Sequence, residues 1–412
     1  MPDSPVASIS AARPESLFRH PRFSLYFWAR GFSEFSHQIA AVAVGWQLYA
    51  LTSSAFDLGM LGLVEFIPTA ALVFVAGHAA DRYDRRVLVQ LCQAVAALTA
   101  IFLALGSFAG WLSVPEIFAA VAVLGTVTAF ESPAAAALLP GVVPDGMLQK
   151  GTALSTGAFQ VATISGPALG GLAYAVAPGA PYAAMAMFWL LAVMLNGCIR
   201  LERPLRAEES PTLRALFAGI RFVRHNPAIL GTISLDLFAV LLGGATTLLP
   251  IYARDILHTG PWGLGVLRAA PAGGALLMAA MMARRPIRRR AGLRLFQAVI
   301  AFGLATIVFA VSRSMWLSAL ALAILGAADA VSMVIRIALV QLATSDAMRG
   351  RVGAVNFLFV NASYQLGGFE SGVTAALFGA APAAVLGGIG TVVVALLWMR
   401  MFPALRTVDR LE

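Results

Sequence analysis

Runs of apolar residues long enough to cross a bilayer alternate with short polar breaks along almost the whole chain. The runs cover 23–51, 57–80, 87–110, 115–139, 151–177, 181–199, 228–253, 262–283, 292–312, 315–342, 352–379 and 381–402, and a helical span needs ~20 such residues. Backbone amides left unpaired in hydrocarbon cost several kcal/mol each, so segments of this kind are helices. The pattern predicts twelve spans, and an even number places both termini on one side of the membrane. The polar stretch 1–22 lacks the apolar core of a cleaved leader, so the first span is expected to act as the insertion signal.

The longest break, 201–227, divides the spans six from six. Within it Leu213, Leu216, Ile220 and Val223 recur at helical spacing opposite Arg214, Arg221 and Arg224. That predicts an amphipathic helix, lying on the inner membrane surface or shielding its apolar side against the bundle. The two halves are related. At one constant offset Leu124-Gly125 matches Leu325-Gly326, Asp145-x-Met147 matches Asp346-x-Met348, Gly166 matches Gly367 and Gly171 matches Gly372. Such duplication fits two packed units that rock about a site near the membrane midplane. The expected fold is an all-α membrane protein, twelve transmembrane helices in two pseudo-symmetric six-helix bundles. Its parts are an N-terminal tail 1–22, a first bundle 23–200, a linker 201–227, a second bundle 228–402 and a C-terminal tail 403–412.

Composition narrows the class. The 412 residues are 59% hydrophobic and 12% charged, against about 25% charged in soluble domains, and the mean hydropathy is +0.82. No sizeable soluble domain fits between the spans. A net charge of +9 suggests nucleic acid only if the cations share a soluble face, and here they sit in the breaks, so no nucleic-acid partner is expected. On the side of the termini lie Arg13, Arg19, Arg22, Arg82, Arg85, Arg86, Lys150, the arginines of 200–224 and 284–294, Arg349, Arg351, Arg400, Arg406 and Arg410. The opposite loops hold Arg254 and Arg313. By the positive-inside bias both termini are expected to be cytoplasmic. Cys92 and Cys198 fall inside apolar runs, so neither a disulfide nor a metal site is predicted. A phosphate-binding loop and a catalytic nucleophile-base arrangement are both missing from the sequence, which argues against an ATP-driven pump, an enzyme and a bound cofactor.

The loop after the second run reads Gly77-His78-Ala79-Ala80-Asp81-Arg82-Tyr83-Asp84-Arg85-Arg86. A Gly, an Asp-Arg pair and a basic pair in this place resemble the loop signature of the major facilitator superfamily. Gly77 would permit close helix approach, while Asp81 could cap a helix and pair with arginine, forming a latch with Arg82, Arg85 and Arg86. Asp84 stands where the family often has Gly. In the fifth run Gly166-Pro167-Ala168-Leu169-Gly170-Gly171 resembles the Gly-Pro-x-x-Gly-Gly motif of that superfamily's exporters; a mid-span Pro bends a helix, and the glycines permit tight packing there. Segments 210–227, 349–372 and 402–406 are similar to the branch that holds the enterobactin exporter and macrolide efflux proteins. The resemblance covers essentially the whole chain. It implies proton-driven export of a small amphipathic molecule.

Charges inside spans are costly, ~3 kcal/mol at the bilayer centre, and mark pathways. Arg30, Glu34 and Gln38 fall at i, i+4 and i+8 with His37 adjoining, one polar stripe that must face the bundle interior. Glu34 is the first choice for a proton carrier, poised between burial and the neighbouring Arg30; a permanent Arg30-Glu34 pair that braces the helix is the alternative. Asp236 falls near Arg30 when the halves are overlaid, so the two could pair across the interface. Asp329, Ser332 and Arg336 share a face, as do Asn356, Ser363 and Glu370, and both are cavity-lining patterns. Glu131 and Arg336 lie toward the cytoplasmic ends of their spans and are expected to gate, with an interhelical brace as the other reading. Glu65 and Arg268 are single intramembrane charges. Phe35, Trp46, Phe130, Phe159, Phe357 and Tyr364 could stack on a substrate or simply pack.

The partners expected are a small molecule, protons and the lipid bilayer, with the protein acting as a monomer. A broad multidrug pump, an uncoupled facilitator, and a receptor or scaffold on the same fold remain alternatives.

Overall fold

In the computed structural model of the chain, residues 16–200, 213–285 and 290–406 are described. The remaining parts of the tails and of the 201–227 linker, with Arg288 and Arg289, lie outside them. Among the described residues there is no strand. Six long helices make the first half: α1 Pro21–Thr52, α2 Ala55–Arg82, α3 Arg85–Ala109, α4 Val114–Val142, α5 Leu148–Val176 and α6 Ala180–Gly197. Their starts are set by local chemistry. Ser54 accepts a hydrogen bond from Asp57 N at 3.2 Å and Asp84 one from Arg86 N at 2.9 Å, while Ser113 and Glu116 form a capping box, each satisfying amides that the first turn leaves free. Gly110, at φ 74°, ends α3 in the left-handed conformation that glycine adopts without strain.

The amphipathic helix α7 spans Leu213–His225, then α8 runs from Pro227 to Leu242. The run expected as one helix over 228–253 is broken after Gly243-Gly244. A 3-10 turn Ala245–Leu248, the short α9 Leu249–Ile251 and a π turn Tyr252–Ile256 follow. A Cβ at Gly244 would collide with the Gly367 carbonyl, so the close approach of the two backbones requires glycine at the break. The half continues with α10 Gly260–Arg284, α11 Ala291–Val311, α12 Met315–Leu342, α13 Asp346–Phe378, α14 Ala380–Met401 and the turn α15 Pro403–Arg406. Leu405 of that turn is buried against α11, so the segment expected as a tail begins packed.

Nine helical segments among the described residues are long and apolar enough to cross a membrane. α1 and α13, 32 and 33 residues long, carry too many polar side chains to count among them. Both face the cavity described below.

Lipid competes with apolar side chains for apolar surface, so helix association in a membrane rests on close backbone approach at small residues. α1 packs on α5 and α6, α2 on α4, and α3 on α4 and α6; in the second half α10 packs on α12, α11 on α12 and α14, and α8 on α13 and α14. Between the halves, α2 lies on α13 and α5 on α10. The glycines that match at the sequence offset make matching contacts. Gly125 fits α4 against the Glu65 backbone of α2, and Gly326 fits α12 against Pro271 of α10. Gly166 fits α5 against Gln38 of α1, and Gly367 fits α13 against Val240 and Leu241 of α8. Gly171 meets Pro261 and Gly265 of α10, and Gly372 meets Gly59 of α2. The repeat in the sequence is thus a repeat of helix contacts.

α7 docks its apolar side on α13. Val223 is buried with Val352 and Val355, and a Cβ on Gly219 would lie 2.8 Å from the Arg351 carbonyl. Of the two readings of this helix, the packed one is observed; the side chains of Leu213 and Leu216 lie outside the description.

Gly326→Val should lower the melting temperature of the purified protein sharply, because its Cβ meets backbone that cannot yield, and overpacking costs about 1–3 kcal/mol or more. Gly77→Ala, with nothing within 4 Å of its Cβ, should leave the melting temperature unchanged or raise it.

Candidate functional site

A cavity of about 600 Å³ lies between the halves. Its charged wall comes mostly from the first half: Arg30, Glu34 and His37 of α1, Glu65 of α2 and Glu131 of α4. The second half adds Arg268 of α10, Asn361 and Gln365 of α13, and Thr246, Thr247 and Pro250 from the broken segment. Gln38 and Phe159 also line it. The polar stripe predicted on α1 therefore faces the interior.

Each of these charges has a partner, as a hydrocarbon surround demands. Arg30 and Glu34 pair at 2.7 Å within α1. Glu131 is held by a buried network. Its Oε1 accepts from Ser33 Oγ at 2.7 Å and from Gln93 Nε2 at 2.9 Å. Asn196 donates to Gln93 at 2.7 Å, and the Trp189 indole donates to Ser33 at 3.3 Å. Glu131 Oε2 faces His37 Nε2 at 3.5 Å. Glu65 interacts with Gln365 and, electrostatically, with His37 and Arg268, and Glu65 and Arg268 both line the cavity.

Other predicted residues lie elsewhere. Asp236 does not reach Arg30, because it forms an ion pair with Arg336 inside the second half, each side chain 6% exposed. Asp236, Asp329 and Ser332 line a small void of about 10 Å³ that shares no lining residue with the central cavity. Tyr364 donates to Asp329 at 3.3 Å. Asn356, Ser363 and Glu370 are not among the cavity-lining residues: Ser363 donates to the Phe359 carbonyl at 2.7 Å and Glu370 accepts from Thr374 at 2.8 Å. Asn361 and Gln365, four residues apart, are the α13 residues that do line the cavity.

In the loop signature, Asp84 caps α3. The Asp81 side chain, like that of Phe357, lies outside the described residues, and Arg82 ends α2. Arg85 donates to the Ala80 and Ala137 carbonyls at 3.1 and 3.0 Å, and Arg86 to Ile199 O at 2.6 Å, tying the ends of α2, α4 and α6 together. Gly77 has open space around it, so close helix approach is not its use in this state. Around the bend motif, Pro167 lies within α5, Gly166 and Gly170 seat that helix on α1, and Gly171 seats it on α10.

The end of the cavity away from the termini is sealed by contacts that the sequence reading did not single out. Gly45 approaches Pro250. Beyond them the Tyr49 hydroxyl donates to Asp255, and Arg254 donates to Tyr49 O at 2.9 Å and Ser53 Oγ at 3.4 Å while lying 5.4 Å from the Tyr49 ring centre. Arg254 alone looked like a loop cation; its neighbour Asp255, and Tyr49 at the end of α1, were the available signals.

A charged cavity between packed helices, closed at one end, is the arrangement of a membrane transporter. The chain belongs to the transmembrane secretion effector family of major facilitators, whose profile matches residues 12–411. It is a multi-pass membrane protein, and the family is one of transporters rather than enzymes. It is 28% identical over 394 residues to the enterobactin exporter EntS of Citrobacter koseri, covering 94% of this chain and 93% of that one. To EntS of Escherichia coli O81 it is 28% identical over 343 residues, covering 82% and 81%. Among solved structures, a bacterial homolog to the human lysosomal transporter Spinster, inward-facing and unoccupied, superimposes with a TM-score of 0.71 at 13% identity, covering 96% and 97%. The nucleoside transporter NupG gives 0.68 at 15% identity, covering 92% and 99%. These establish the major facilitator fold.

Arg254→Ala should favour opening of the sealed end. Losing interactions worth about 1 kcal/mol shifts the population about fivefold, read as faster labelling of a cysteine placed at Gly45.

Proposed function

We propose that the protein is a secondary active exporter that moves a small amphipathic molecule out of the cytoplasm in exchange for protons, by alternating access. In this reading the chain makes twelve spans in two pseudo-symmetric six-helix bundles, with α8 to the π turn as the seventh span. Both termini are cytoplasmic, because the arginines crowd their side, and the protein works as a monomer in the bacterial inner membrane. The state described opens toward the cytoplasm, since the opposite end is the one sealed.

The observation that carries this reading is the cavity itself. Its wall combines three carboxylates, two guanidiniums, an imidazole and amides with apolar Leu58, Leu61, Val121 and Leu124. A mixed wall of this size suits a molecule with both polar and apolar faces, and a scaffold would have no reason to keep buried charges at such cost. The named cargo of the relatives, enterobactin, is of that kind, which makes a siderophore-like molecule the first cargo to test. Rocking of the halves about the glycine contacts of α2 with α13 and α5 with α10 would exchange the open end.

In everted membrane vesicles with an acidic lumen, enterobactin should accumulate inside and its addition should discharge part of the pH gradient, with nigericin abolishing both. Equilibration without accumulation would identify an uncoupled facilitator. Accumulation of erythromycin and ethidium as well would widen the cargo to drugs.

A further inference from the structure

Three carboxylates reach the cavity, and their surroundings differ in kind. Glu34 is neutralised at 2.7 Å by Arg30 of its own helix, and a guanidinium stays charged throughout the physiological range. Glu65 has Gln365, with His37 and Arg268 in electrostatic reach. Glu131 is the carboxylate that an imidazole approaches to 3.5 Å, and imidazole is the side chain whose ordinary pKa lies between about pH 5 and 8.

The geometry around Glu131 is built on one side and left open on the other. Oε1 is saturated by Ser33 and Gln93, which Trp189 and Asn196 hold in turn. Oε2 is buried without a hydrogen-bond partner. His37 Nε2 stands 3.5 Å from it, beyond the 2.7–2.9 Å of a charge-assisted hydrogen bond. The Glu131 side chain is 5% exposed and that of His37 26%, and both line the cavity. The edge of Trp189 meets the imidazole at 5.3 Å between ring centres, which fixes the ring beside the carboxylate. Around His37 the charged groups are Arg30 and Glu34 on α1, Glu131 on α4 and Glu65 on α2, with Arg268 on α10 behind Glu65.

We infer that His37 and Glu131 form the proton-exchange dyad of the transporter, in which a hydrogen-bond donor of the cargo, a hydroxyl or an ammonium, competes with the imidazolium for Oε2 of Glu131. This rests on the export reading above. With the cavity empty, a protonated His37 has Glu131 as its counter-ion. When a cargo donor occupies Oε2, the imidazolium is displaced from that oxygen and its Nε2 proton passes to cavity water. Once the cavity opens to the far side and the cargo leaves, Oε2 is free again and the imidazole takes a proton from that side. One proton enters for each cargo molecule that leaves. The Ser33-Gln93-Asn196-Trp189 frame keeps the carboxylate in place through both steps.

The test needs no known cargo. In a Cys92→Ala, Cys198→Ala background, spin labels at Leu148 and Met281, on the terminus-side ends of α5 and α10, report the opening between the halves in lipid nanodiscs from about pH 5 to 8. The parent protein should change its distance distribution in one transition. His37→Gln and Glu131→Gln should abolish the transition, and His37→Arg, permanently charged, should hold the low-pH distribution at every pH. A transition that persists in His37→Gln or Glu131→Gln, or is absent from the parent protein, would overturn the dyad. The paired substitutions, checked for parent-like melting, keep the result decisive if one variant misfolds. In vesicles each glutamine variant should accumulate about tenfold less enterobactin under the same pH gradient, and its residual transport should no longer depend on pH. Failure of the parent protein to accumulate enterobactin, erythromycin or ethidium would count against the export reading and leave the spin-label result to judge the dyad.

Discussion

An ion cannot rest in hydrocarbon without a counter-charge or water, and this constraint organises the interior of the protein. Each acidic side chain of the central cavity has an opposite charge near it: Glu34 pairs with Arg30 and Glu131 with His37, while Glu65 lies in the field of His37 and Arg268. The second half solves the same problem apart from the cavity, with Asp236 on Arg336 and Tyr364 on Asp329. Burial of a matched pair is close to neutral in energy, whereas breaking one partner away is costly.

The second constraint is the absence of a hydrophobic drive between helices in lipid, which leaves packing to small residues. Glycines at 125, 166 and 171 and their counterparts at 326, 367 and 372 bring backbones together at the same relative places in each half. Those at 171 and 372 sit on the two seams between halves. Seams of glycine against backbone have little side chain to interlock. The broken segment after α8 contributes differently. It gives up regular helix at Gly243-Gly244 and Pro250 and so brings Thr246, Thr247 and Asp255 against the first half, where a straight helix would not.

Much of this was legible in one dimension. Hydropathy marked most helices to within a few residues, but α13 begins six residues before its predicted run and the break after α8 was not anticipated. The glycines that match at the sequence offset make matching contacts, because close backbone approach depends on residue size. The stripe on α1 pointed inward because three polar residues at four-residue spacing can face only one way. Asn356, Ser363 and Glu370 share a face of α13, but it is not the face that lines the cavity, and the lining pair Asn361 and Gln365 was passed over. Asp236 was drawn toward Arg30 by overlaying the halves, yet the nearer Arg336 of α12 claims it.

Spanning helices, the arginine bias between their ends and the internal duplication are properties of composition and spacing, and the sequence by itself determined them. Which cation neutralises which carboxylate, which oxygen of Glu131 is saturated and which is left open, and where the cavity is sealed were decided only in the tertiary structure. Charge pairing reaches across helices distant in the chain, as Ser33 to Glu131 or Tyr49 to Asp255. A hydrogen bond is made or lost over less than an ångström, a scale that residue order does not encode.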